Sequence, residues 1–122
     1  MVTIKELAGY AYEATACVVE AVDGDGLPEI YNLSVRVDDK SKVVTVHVLL
    51  SPNGRNELDK IDAIREWADY LGGDVHLGDP FPSQGQTLRG LNAVTDRGSA
   101  RIEVETYLTM PDPVPAVLSH AA

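Results

Sequence analysis

Near the start of the chain apolar residues recur every three or four positions. Ile4, Leu7, Ala8, Ala11, Ala14, Val18, Ala21 and Val22 fall on one side of a helical wheel, with Lys5, Glu6, Glu13 and Glu20 opposite. Thr3 and Glu6 have the spacing of a capping box, so the pattern predicts a helix from Ile4 to about Val22. A strand over Thr15–Val22 is the rival reading, weakened because neighbouring residues are apolar on both faces. Asp23-Gly24-Asp25-Gly26-Leu27-Pro28 should stop the helix, with glycine free to take a left-handed cap. The period then changes to two. Tyr31, Leu33, Val35 and Val37 alternate with Asn32, Ser34 and Arg36. After the turn Asp38-Asp39-Lys40-Ser41, residues Val44, Val46, Val48 and Leu50 alternate with Thr45 and His47. This predicts a half-buried hairpin with one aliphatic and one polar face.

Ser51-Pro52-Asn53-Gly54 breaks the strand and Asn56 can cap a second helix. Its apolar stripe is Leu58, Ile61, Ile64, Trp67, Ala68 and Leu71, ended by Gly72-Gly73. Asp74–Leu77 reads as a short strand and Gly78–Gln86 as a long loop that presents Phe81 between two prolines. In the last hairpin, Leu91 and Ala93 lead into the turn Asp96-Arg97-Gly98-Ser99. The return strand sets Ala100, Ile102, Val104 and Leu108 against Arg101, Glu103, Glu105 and Tyr107. The order α-β-β-α-(β)-β-β predicts an α+β fold in which two amphipathic helices pack on one face of a mostly antiparallel sheet. One domain is expected over residues 1–109, followed by a proline-rich extended tail over 110–122.

Three stretches carry a resemblance. Leu27-Pro28-Glu29-Ile30-Tyr31, Trp67-Ala68-Asp69-Tyr70-Leu71-Gly72 and Arg101-Ile102-Glu103-Val104 resemble small uncharacterised proteins of high-GC actinobacteria and their phages, across most of the chain. That family brings no agreed activity or catalytic residues. The resemblance implies a small accessory protein, encoded by a phage or mobile element.

Composition narrows the function classes. The 122 residues carry 19 acidic against 10 basic side chains, a formal net charge of −9. Direct nucleic-acid binding, which depends on Lys and Arg neutralising phosphates, is disfavoured, as is an anionic membrane surface. No apolar run approaches the length needed to cross a bilayer, and the first residues lack the basic and apolar regions of a leader. The single cysteine, Cys17, excludes an intrachain disulfide and fits a reducing compartment. A cytoplasmic protein is expected.

Catalytic apparatus is sparse. No Gly-x-Ser-x-Gly elbow, Walker A sequence or dinucleotide fingerprint occurs, and His47, His76 and His120 are dispersed, without a His-Glu-x-x-His or Cys-x-x-Cys pair. Asp23-Gly24-Asp25-Gly26 begins like a calcium loop, but Leu27 occupies the third ligand position. Cys17 lies among apolar and acidic neighbours, a setting that does not activate a thiol, and reads as a packing residue. Glu103 and Glu105, about 7 Å apart on one strand face, have the spacing of an acid–base pair. Solvent-facing carboxylates in that setting more often serve solubility. No enzyme activity, cofactor or metal is expected.

The polar sheet face is the better candidate. It would join Asn32, Ser34, Arg36, Thr45 and His47 from the first hairpin to Arg101, Glu103, Glu105 and Tyr107 from the last, and Tyr with Arg has the composition of an interface hot spot. Phe81 in its loop, and Val114, Val117 and Leu118 in the tail, are further docking candidates. The leading expectation is therefore a non-enzymatic interaction factor with a protein partner, itself or a host protein, that forms a homo-oligomer. A second rests on Asp59, Asp62, Glu66 and Asp69 along the second helix, with Glu6, Glu13 and Glu20 on the first. Such rows of carboxylates can imitate a nucleic-acid backbone, although Lys60 and Arg65 interrupt the field. A third is a small-molecule enzyme or sensor using Arg36, His47 and Glu103 in a cleft between subunits.

Overall fold

The computed structural model describes residues 2–50, 56–97 and 100–110. The breaker at 51–54, positions 98 and 99 of the last turn, and the tail from 111 lie outside the described residues. Two helices, α1 (Ile4–Asp23) and α2 (Glu57–Leu71), combine with six strands: β1 (Ile30–Asp38), β2 (Val43–Leu50), β3 (Asp74–Leu77), β4 (Phe81–Ser83), β5 (Gln86–Arg97) and β6 (Ala100–Thr109). The sheet runs β1-β2-β6-β5-β3, with β4 beside β5. Only β2 and β6 pair in parallel, so the α+β class with a mostly antiparallel sheet is as expected.

Both helices start where their caps place them. Thr3 and Glu6 close the capping box, and Asn56 accepts from the Asp59 amide at 2.8 Å. Gly72 ends α2 in the left-handed conformation (φ 77°), where a side chain would be strained. At the end of α1 the cap differs from expectation. Gly24 stays right-handed, and the left-handed residue is Gly26 (φ 70°) two positions on.

α1 lies over β1, β2 and β6, while α2 lies over β6, β5 and β3. The two helices thus share one face. Alternate residues Val44, Val46 and Val48 of β2 and Ile102 and Val104 of β6 are fully buried beneath them with Leu7, Val18, Ile64 and Trp67. Trp67 also donates its indole N–H to the Pro28 carbonyl at 3.1 Å, which satisfies the polar atom of the largest core side chain.

Further sequence expectations change. Ile4 and Leu58, on the predicted apolar stripes of the two helices, are 55% and 71% exposed. Tyr31 does not continue the aliphatic face of β1, because a bulge between Ile30 and Asn32 shifts the register and leaves it 66% exposed. Val35 and Val37 do face the helix layer but remain exposed, since β1 is the edge strand and no strand lies beyond it. The segment expected to be a loop over Gly78–Gln86 holds a tight hairpin. Gln84 (φ 48°) and Gly85 (φ 79°) form a two-residue turn that pairs Ser83 with Gln86.

Candidate functional site: the open face of the sheet

Among the described residues no element covers the face opposite the helices. The register lays its side chains out in rows across four strands. Arg36, Thr45, Arg101 and Asp96 form one row; Ser34, His47, Glu103 and Val94 the next; Asn32, Leu49, Glu105 and Asn92 a third. Both hairpins therefore contribute to one mixed surface, as the polar periodicity predicts.

His47, Glu105 and Tyr107 are locked together toward one end of it, where β2 stops pairing with β6. His47 reaches diagonally across the parallel pair, and its Nε2 donates to Glu105 Oε1 at 3.0 Å. The Tyr107 hydroxyl donates to the same oxygen at 3.0 Å from two residues along β6. Phe81 of β4 meets the Tyr107 ring edge-on, with centroids 6.0 Å apart, so the β3–β5 connection steadies the phenol. Room for this cluster comes from Gly90, which faces Tyr107 on β5: a Cβ there would stand 3.3 Å from Glu105 Oε2 and 3.7 Å from the Tyr107 ring. Loss of hydration on burial, with the adjacent Glu105 carboxylate, raises the Tyr107 phenol above its ordinary pKa.

The other charged groups form a second cluster. Arg101 Nε lies 3.3 Å from Glu103 and 4.0 Å from Asp96. Six strand positions, about 20 Å, separate Arg101 from Tyr107, so the two residues suggested as one hot spot do not meet. Glu103 and Glu105 share a face but have different partners, Arg101 for one and His47 with Tyr107 for the other. Ser34, Arg36, Thr45, His47 and Glu103 border a shallow concavity of about 290 Å³. Arg36, His47 and Glu103 are thus brought together within a single chain, on an open surface rather than in a closed cleft.

The acidic candidates lie on the other side of the molecule. Asp59, Asp62, Glu66 and Asp69 are all exposed on the outer face of α2. Lys60 does not interrupt them as its position in the sequence suggests. It is buried, with Nζ turned inward to donate to the Tyr107 carbonyl at 3.0 Å and lying 3.5 Å from Glu57. The cause is topological. β2 pairs with β6 only as far as Glu105, so the backbone beyond it needs other partners, and Glu57 accepts from the Thr109 amide at 2.9 Å for the same reason.

Sequence reasoning missed Asn92, Val94 and Asp96 on the open face, and Gly90 opposite Tyr107. Their alternation is visible, but only the β5–β6 register shows what they face. Among the described residues, no three His, Cys, Asp or Glu side chains converge as metal ligands would, and no helix is long and apolar enough to cross a membrane. No protein-family model matches the chain, and neither the curated proteins nor the solved structures compared with it contain a match.

Proposed function

We propose that this chain is a small non-enzymatic interaction factor that binds a protein partner through the open face of its sheet, centred on Tyr107. One observation carries the reading: an exposed tyrosine is held in place by Glu105, His47 and Phe81 on a face that no described element covers. A side chain fixed before binding loses less conformational entropy on association, and tyrosine is among the residues that dominate interface energetics. The charges of Arg36, Arg101, Asp96 and Glu103 would then set orientation and partner choice. The resemblance to actinobacterial and phage accessory proteins suggests the setting, an assembly component or a modulator of a host protein in the cytoplasm.

A second reading is favoured by the inward turn of Lys60, which leaves the carboxylate row of α2 interrupted only by Arg65. There the chain would occupy the basic groove of a nucleic-acid-binding protein. Affinity capture from host lysate over a salt series separates the two. The leading reading expects a partner that persists at high salt. A nucleic-acid-binding protein that leaves as salt rises would overturn it in favour of mimicry.

A further inference from the structure

The edge of the sheet beside α1 differs from the rest of the surface. β1 is nine residues long, stands at the end of the sheet, and contains neither proline nor lysine. The opposite edge is blunted, because β3 has four residues and β4 three. A long edge strand presents a row of backbone donors and acceptors to any strand that can lie against it. On the helix side of this edge Val35 is 42% and Val37 is 37% exposed, although their neighbours on β2, Val46 and Val44, are fully buried.

The helix above continues the same apolar surface. At 100° per residue, Ile4, Ala8, Thr15 and Val19 form one flank of α1, bordered by Tyr12, and none of the helix's charged residues falls among them. The other flank is accounted for: Tyr10, Glu13 and Cys17 border a cavity with Arg97 and Ala100 of the β5–β6 hairpin. The uncharged flank is thereby turned toward β1. Ile4, Tyr12 and Val19 on it are all exposed.

We propose that this edge is a homodimer interface, in which β1 pairs antiparallel with β1 of a second copy and the α1 flanks pack against each other above the seam. Strand-edge pairing about a twofold axis is self-complementary, since the same donors and acceptors serve both copies. Charge narrows its register. Pairing centred on Ser34 sets Arg36 opposite Asn32 of the second copy and Val35 opposite its Leu33, whereas pairing centred on Arg36 would set that guanidinium against itself. The flank of α1 brings no charged side chain to the seam, which limits repulsion between two molecules of net charge −9. The exposed parts of Ile4, Tyr12, Val19, Val35 and Val37 amount to roughly 500 Å² on each copy, about 1,000 Å² over the pair, which reaches the area a specific interface needs. The interface uses the β1 backbone and the helix layer, so it stands independently of the open-face reading.

The test is the mass of the full chain in solution, by light scattering and sedimentation over roughly 1–100 µM. The expected mass is twice 13.1 kDa, with dissociation weakened by added salt as the like charges are screened. Val35→Lys and, separately, Val19→Lys should each raise the dimer dissociation constant at least about tenfold while leaving the circular dichroism spectrum and thermal midpoint of the monomer intact. Tyr107→Ala should leave the dimer unchanged. A wild-type monomer throughout that range would overturn the proposal. So would a dimer that survives both lysine variants, or one that Tyr107→Ala dissociates while they do not.

Discussion

Tyr107 and Lys60 show how single residues hold the candidate surface in place. The Tyr107 phenol is raised above its ordinary pKa by loss of hydration and by the Glu105 carboxylate, so the fold favours its neutral form. Its contribution is fully present below about pH 10, where an unfolded tyrosine is protonated, and is lost as pH rises through the higher folded value. Urea titrations should show stability falling above that pH, and Tyr107→Phe should make the fall shallower. Tyr70, raised chiefly by its hydrogen bond to Asp25, leaves part of the dependence in place. Lys60 satisfies the Tyr107 carbonyl, which no strand reaches. Lys60→Met keeps the stem and removes the donor, and should cost roughly 1–3 kcal/mol in denaturant unfolding, against less than about 0.5 kcal/mol for Arg65→Ala on the exposed side of the same helix. Neither role is visible in the sequence. Lys60 reads there as a solvated charge within an acidic row, because only the early end of the β2–β6 ladder gives it a buried partner.

At the scale of elements, what the periodicity made legible is what local chemistry decides. Both helices begin at their caps, and the two faces of β2 and β6 divide as the alternation of Val and Ile with Thr, His, Arg and Glu indicates. The departures have local causes that need three dimensions: a bulge at Tyr31, an edge strand with no neighbour on its outer side, and a hairpin within a proline-rich stretch. The apolar stripe of α2 converges on Trp67, buried without exposure and tied to Pro28 in the connection between α1 and β1. Trp67→Ala should therefore destabilise by about 3–5 kcal/mol, measured by urea or thermal unfolding. Asn56→Ala, which removes only the N-cap of the same helix, should cost about 1 kcal/mol.

For the whole molecule, strand order was the illegible step. Nothing in the residues of β2 and β6 says that they pair in parallel at the centre of the sheet. That pairing is what sets His47 beside Glu105 and draws two hairpins into one face. The result is a two-sided arrangement, with carboxylates along the outer face of α2 and a mixed, pre-ordered surface on the sheet face that no described element covers. On the function proposed above, that sheet face is the side that recognises a partner. The most direct test is quantitative capture from one host lysate by immobilised wild type, by Tyr107→Ala, and by a variant with Asp62, Glu66 and Asp69 changed to lysine. At least about a tenfold loss of partner is expected with Tyr107→Ala, as for a residue at the centre of an interface, and retention with the lysine variant. A partner kept by Tyr107→Ala and lost with the lysine variant would contradict it.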